Sequence, residues 1–325
     1  SKTILDQNLL MKKNNLTGIM FHHFHDNLKH PNGQGSINVK QLTKIINFLG
    51  KKNILDPEDA LEHIRSRKQN KKFCLTFDDG LKCQFDLALK VLKKFNLKGI
   101  FFIFSSILTS SPDLLEVYRH FRNTKYKNVS EFYLHFFKVI YKNNQNKIDL
   151  FLNKNKKLIR KIKKESPYYS LNDIKFRILR DKFLGKFGYE NVMLKLFKLK
   201  NYNFKKYSKI LYMNKKDIKK LEREGHMIGL HSHNHSSNIL SLNLKNQILE
   251  FKKNKKLLSK CLKKKIKVAS YPFGNFNKNT IKALKQNNIE FAFKKNLVLS
   301  KIRNYSNFQI PRENHITILK KIKVK

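Results

Sequence analysis

Three short segments of the chain carry side chains able to do chemistry, and each follows a short apolar run. Thr76-Phe77-Asp78-Asp79-Gly80 sets two adjacent carboxylates after the run 72–77. Carboxylates that close repel, so one tends to be protonated or bound to a metal. His231-Ser232-His233-Asn234-His235 places three imidazoles in five residues after the run 227–230. His231 and His235 are four apart, so one helical turn or a tight loop aims both rings the same way. Two His with one carboxylate form a common ligand set for a catalytic divalent metal with open positions. Ser270-Tyr271-Pro272-Phe273-Gly274-Asn275 ends a third run, where Pro and Gly fix a turn and let the backbone approach a ligand. Each segment also has an ordinary reading. Asp at a strand–helix junction caps the helix, a lone His is usually a surface or core residue, and a Pro-x-Gly turn is commonplace.

Elements able to position these segments follow from hydropathy spacing. Strands are predicted at 18–24, 72–77, 99–104, 226–230, 266–271, 289–293 and 308–310. Helices are predicted at 39–49, 57–67, 81–95, 214–224, 243–262 and 278–287, with Asp56 as N-cap before Pro57 and Gly225 as a stop. Strand alternating with helix implies a largely parallel sheet or barrel with helices outside, and such folds build sites at the carboxyl ends of their strands. Residues 112–210 break the alternation. They are rich in Lys, Asn, Phe, Tyr and Leu at helical spacing and predict an insertion of about four helices. Its aromatics Phe132, Tyr133, Phe136, Phe137 and Tyr141 read as core packing.

Composition narrows the class. The 325 residues hold 70 Lys plus Arg against 23 Asp plus Glu, a formal charge of +47. At 40% hydrophobic residues the chain has too much apolar material for wholesale disorder. No apolar run reaches the roughly 18 residues of a membrane span. The excess charge would draw polyanions. However, the bases are mostly Lys, scattered, and accompanied by abundant Asn, Ile and Phe, which is what drift toward AT-rich codons produces. Groove readers lean on Arg, so nucleic acid is not the expected partner. Only 251–267 forms a basic stripe, read as an exposed helix face followed by a strand. Cys74, Cys83 and Cys261 show no CxxC pairing and fit a reducing compartment. Ser1 to Asn15 lacks an apolar core of the signal-peptide kind, so a cytoplasmic location is expected, although a chain already trimmed of a leader would read the same.

Taken together and in this order, the three segments resemble the polysaccharide deacetylase family, carbohydrate esterase family 4, the NodB homology domain. The resemblance covers roughly residues 17–110 and 212–315 and extends to KGIFFIF after TFDDG and to MNKKDIKKLEREGHMIGLHSHNH around the histidines. It implies a distorted (β/α)7-type barrel over 17–325 with a helical insertion at 112–210. It implies a divalent metal on Asp79, His231 and His235, zinc first, with cobalt, nickel and iron also accepted by relatives. Asp78 then becomes the general base, and the turn Tyr271, Pro272, Phe273, Gly274 contacts the substrate, the Phe273 amide serving an oxyanion. Ser232 supplies a hydrogen bond inside the histidine loop. The family's third motif often carries an Arg that orients the base. None stands there in this chain, and Arg312 is the substitute. A late Leu-x-His motif for the general acid is also missing. His315 is the candidate acid, though as an exposed terminal residue it has a bland reading too, and His22 or His23 after the first strand are alternatives that line the site. The expected activity is removal of N-acetyl groups from amino sugars of a polysaccharide or glycan precursor. An O-acetyl or N-formyl sugar hydrolase, and a non-catalytic polyanion or sugar binder, are the competing expectations.

Overall fold

The computed structural model describes residues 16–26, 28–110, 112–142, 144–165, 169–235, 239–295 and 305–324. The N-terminal segment read above for a leader lies outside them. Seven strands are present: β1 Leu16–Phe21, β2 Lys72–Asp78, β3 Gly99–Ile103, β4 Met227–Leu230, β5 Val268–Ser270, β6 Phe291–Lys295 and β7 Ile310–Asn314. They pair in sequence order, all parallel, and β7 returns to β1, closing the barrel. This is the expected fold class. The first strand stops at Phe21, three residues early, and the last runs Ile310–Asn314 rather than 308–310, which brings Arg312 into the sheet.

Strand residues alternate between two apolar cores. Leu16, Cys74, Ile100, Phe102, Val268, Phe291, Phe293 and Ile310 pack together with Ala60, Leu61 and Ile64 of the helix Pro57–Arg65. Their neighbours Ile19, Phe21, Leu75, Phe77, Phe101 and Ile103 pack with Leu42, Ile45 and Ile46 of the helix Val39–Leu49 and with Leu92 and Ile218 of other outer helices. The period of two sends one set into the lumen and the other to the helical ring. Two glycines make the lumen fit. A Cβ on Gly18 would stand 2.9 Å from Arg312 Cγ, and one on Gly229 only 2.4 Å from Phe102 Cδ1.

The ladders are uneven. β1 and β2 share six register pairs, whereas β4 and β5 share one, Leu230 with Ala269. Asn starts several helices: Asn38, Asn214, Asn243 and Asn277 each accept a hydrogen bond from a first-turn amide. Asp56 stands at its N-cap position but makes no capping bond. Its Oδ1 accepts from the Lys98 amide at 2.9 Å instead, just before β3. The predicted helix 81–95 is divided into a π-helical Gln84–Ala88 and an α-helix Leu89–Phe95. Gln84 is fully buried there and donates to the carbonyls of Asp78 and His22 at 2.6 and 2.9 Å.

The chain divides into two compact units, one holding the residues up to Asp113 and from Ile210 onward, the other Leu114–Lys209. The second unit is built on helices Leu115–Lys125, Val129–Tyr141, Gln145–Lys154, Lys156–Glu165, Leu171–Ile178, Gly185–Leu199 and Phe204–Ile210, more and shorter than the four expected. Turns at Asn128, Asn144 and Ser170 cut what the spacing alone reads as longer helices. Phe121, Phe132, Tyr133, Phe136, Phe176 and Phe197 are buried in it. No described helix of either unit is long and apolar enough to cross a membrane.

Candidate metal centre

The carboxyl ends of the barrel strands bring the three segments together. Asp78 is the last residue of β2 and Asp79 the next. His231 follows β4, Ser270 ends β5, and His22 follows β1. Neither aspartate caps a helix, because the following helical segment starts at Gln84 with Cys83 before it.

Asp79, His231 and His235 converge. Asp79 Oδ1 lies 3.3 Å from His231 Nε2 and 3.1 Å from His235 Nε2, and the three ligand atoms lie within 4.8 Å of one another. Yet Asp79 Oδ1 is buried with no properly directed hydrogen bond. The nitrogens come close without aiming an N–H at the oxygen, which is the disposition of three lone pairs around a common point. His231 Nδ1 faces the Ser270 carbonyl at 3.1 Å and Ser270 Oγ at 2.7 Å. A carbonyl only accepts, so Nδ1 carries the proton and Nε2 is left as a bare donor atom. One carboxylate and two imidazoles so arranged fit a divalent cation with open positions. Burial works against the Asp79 charge, but His235 and His231 outweigh it and hold the carboxyl well below its ordinary range. Burial likewise opposes protonation of His235, and Asp79 overrides it and raises that imidazole.

Beside this triad Asp78 is clamped. Arg312 reaches from β7 and donates Nη1 to Asp78 Oδ1 at 2.6 Å and Nη2 to Oδ2 at 2.8 Å, a two-pronged pair. Arg312 is 1% exposed and Asp78 is 2%. Burial alone would raise the Asp78 carboxyl. The guanidinium outweighs it and keeps the group ionised below its usual range. His22 Nε2 stands 3.8 Å from Asp78 Oδ2, and burial lowers that imidazole to about 4 against the pull of Asp79 and Asp78. His23 is half-buried, its ring 6.3 Å from that of His22.

The remaining predicted residues divide. Phe273 is half exposed, its ring 4.8 Å from that of His235, at the turn after Pro272. Gly274 follows at φ 80°. Tyr271 is buried and donates its hydroxyl to the Phe308 carbonyl at 2.8 Å, so it braces the turn and has no hydroxyl free for a ligand. His315 is not an exposed terminal residue. It is 3% exposed, stacked on Phe21, with Nδ1 at 3.0 Å from the Met20 carbonyl and Nε2 at 3.1 Å from the Gly35 carbonyl. Both ring nitrogens are engaged with main chain, which removes it as a proton donor to a ligand.

Second-layer contacts hold the histidine loop. Asn254 Oδ1 accepts from the His231 amide at 2.9 Å while its Nδ2 donates to the Ile103 carbonyl at 3.0 Å. Glu250 accepts from the amides of His233 and Asn234 and from the Asn234 side chain. Ser232 Oγ accepts from the His235 amide at 3.1 Å, inside the loop. His233 turns away to Ser105 Oγ at 2.9 Å. Sequence reading missed Asn254, Glu250, Ser270 and Gln84 as supports. The one available signal was an acid and an amide four apart in a helix otherwise crowded with Lys. The backbone is strained here. Among the described residues, Asp79 (φ 79°), Ser232 (61°), His235 (50°) and Phe273 (57°) are four of eight non-glycine positions at positive φ. Each such position costs about 1–3 kcal/mol and persists only where the surroundings over-determine it.

A family model described as polysaccharide deacetylase matches residues 65–170 and 190–292, which include Asp78, Asp79, His231, His235 and Phe273. No curated protein matches the sequence significantly. Among solved structures, the chain is similar to the Streptococcus pyogenes deacetylase PplD in complex with acetate (TM-score 0.54, 14% identity, covering 95% of this chain and 98% of that one). It is also similar to IcaB from Ammonifex degensii (0.54, 13%, 92% and 91%) and to a de-N-acetylase from Aggregatibacter actinomycetemcomitans (0.53, 12%, 94% and 98%). At these identities the likeness speaks for the fold.

Proposed function

The chain belongs to the polysaccharide deacetylase family, and from that premise we propose that it is a divalent-metal-dependent hydrolase removing N-acetyl groups from amino sugars of a polysaccharide or glycan precursor. The observation that carries the reading is the meeting of Asp79, His231 and His235 around an unpartnered buried oxygen, next to an Arg-clamped Asp78. A bound divalent cation, zinc foremost, supplies Lewis acidity toward the acyl oxygen and toward water. Asp78 is ionised at neutral pH and takes the proton of the attacking water. Arg312 fixes the carboxylate so that the free lone pairs face the cleft. The Phe273 amide, in its strained turn, donates to the developing oxyanion. The leaving amine needs a proton, and His22 replaces His315 in that role. His22 is neutral in the resting protein, so the proton it passes on is the one gained by Asp78, whose Oδ2 lies 3.8 Å away.

The test uses purified protein with Zn2+ or Co2+ on N-acetylglucosamine oligomers, scoring released acetate and free amine. Activity abolished by chelation and by Asp78→Asn, with metal retained in the variant, is expected. Turnover that survives either treatment overturns the proposal. O-acetylated and N-formylated sugars in the same panel decide between this reading and its same-site alternatives.

A further inference from the structure

Arginine is rare in this chain, 10 residues against 60 Lys, yet five of the ten lie in the helical unit, four of them on two stretches of it. Arg119 and Arg122 are on the helix Leu115–Lys125; Arg177 and Arg180 are on the helix Leu171–Ile178 and its π-helical continuation Leu179–Leu184. Codon drift toward Lys does not explain a concentration of Arg. Two of these guanidiniums, those of Arg122 and Arg180, share one aromatic floor. Arg122 Cζ lies 5.9 Å from the Phe132 ring centroid and Arg180 Cζ 5.5 Å from that of Phe176, and these two rings are 5.5 Å apart, edge to face. Tyr133 and Tyr189 pack on Phe176 at 5.1 and 6.1 Å. Arg177 lies over Tyr169 at 4.3 Å, with a buried Nε that has no partner.

The carboxylates nearby are spent or peripheral. Glu116 pairs with Arg119, and Asp181 pairs with Arg180 at 2.6 and 2.9 Å while half exposed. Asp173 accepts the Tyr133 hydroxyl on one oxygen and the Ser170 amide and hydroxyl on the other. No described carboxylate pairs with Arg122 or Arg177. The unit as a whole, residues 114–209, has 25 Lys plus Arg against 7 Asp plus Glu, a formal +18. Half-burying guanidiniums beside other cations is unfavourable unless an anion compensates. The strain is visible on Arg122, which burial, then the charges of Arg119 and Arg177, depress below the ordinary arginine value, with Tyr189 and Tyr133 opposing.

We propose that Arg122 and Arg177, beside the Asp181-paired Arg180, form a binding site for a phosphate-class oxyanion on the helical unit. Planar forks on an aromatic floor suit the oxygens of such an ion better than ammonium groups would. The ion comes either free in solution or as a phosphate ester on a sugar, and both present the same oxygens. Nothing in this inference depends on the hydrolase reading.

The test is thermal melting and calorimetry of the full chain with inorganic phosphate, acetate and chloride at constant ionic strength. Phosphate should stabilise the protein saturably beyond chloride and acetate. Arg122→Met and Arg177→Met should each weaken its binding by about 10–100-fold, while the exposed Arg160→Gln should not. Without anion, the two Met variants should melt no lower than the parent, since each removes an uncompensated charge. A purely structural cation–aromatic role would lower them. Glucosamine 6-phosphate binding at least as tightly as phosphate, with glucosamine inert, would identify a sugar phosphate; phosphate alone binding would identify the free ion. Phosphate acting like chloride, or undiminished binding in both Met variants, overturns the proposal.

Discussion

The Arg312–Asp78 pair permits a quantitative test within the barrel lumen. Both side chains are almost wholly buried, joined by bonds of 2.6 and 2.8 Å, and the remaining side-chain neighbours of Asp78 are weak: Ser270 Oγ stands 3.4 Å from its Oδ1. Arg312→Met keeps the apolar stem beside Gly18 and Phe102 but leaves a buried carboxylate alone. Asp78→Asn leaves a buried guanidinium alone. Breaking such a pair from one side costs about 3–5 kcal/mol, while replacing both partners is near neutral. The double variant should therefore recover most of the loss, with a coupling of about 3 kcal/mol in a denaturant-unfolding cycle. The pH dependence carries a second signature. In the parent, the Asp78 carboxyl is depressed in the fold, so its stabilisation is present above the unfolded value and is lost as pH falls through the folded one. In Arg312→Met the folded value rises instead, so the penalty seen at pH 7 shrinks as pH falls toward about 4. Single-variant losses that add to within about 0.5 kcal/mol, or a penalty indifferent to pH, would refute the reasoning.

Three further outcomes are expected. Asn254→Leu should weaken Zn2+ binding by about 10–100-fold in chelator competition with the near-UV spectrum intact, because His231 loses the support of its amide; unchanged affinity would mean Glu250 and Ser232 suffice. Gly229→Ala should cost about 1–3 kcal/mol on unfolding, since its Cβ would press on Phe102 and on Val268 Cγ2 at 2.9 Å; an unaffected midpoint would contradict the lumen packing described. His226 is buried, accepts the Gly99 amide at 3.0 Å, and burial lowers it to about 4. Stability should thus fall by about 1.4 kcal/mol per unit on this group's account as pH drops from about 6.5 toward 4, and His226→Gln should flatten that part of the profile.

What could be read from the chain tracks the range of the interactions involved. Period-two and period-3.6 patterns are local, so the alternating elements, and through them the barrel, were visible; the helix Val39–Leu49 falls where its spacing puts it. The motif residues were visible as side-chain types at strand ends. Their supports were not. Asn254 acts 23 residues from His231 and nothing in its neighbourhood marks the contact, while Arg312, 234 residues from Asp78, is legible only through the family resemblance. His315 misled because a histidine near a chain end reads as solvent-facing, whereas β7 pairing with β1 carries it under Phe21. Asp56 misled because capping is judged from local sequence, and the Lys98 amide, 42 residues on, competes for the same oxygen.

The single register pair between β4 and β5 gives the cylinder a seam, and the reactive groups straddle it. His231 stands on one lip and Ser270 on the other, tied through the imidazole Nδ1. Main-chain bonding contributes least to the girth there, so side chains must close the hoop. Amide exchange should begin along this line, and any ligand drawing the two lips together would tighten the entire ring, linking occupancy of the mouth to the rigidity of the wall.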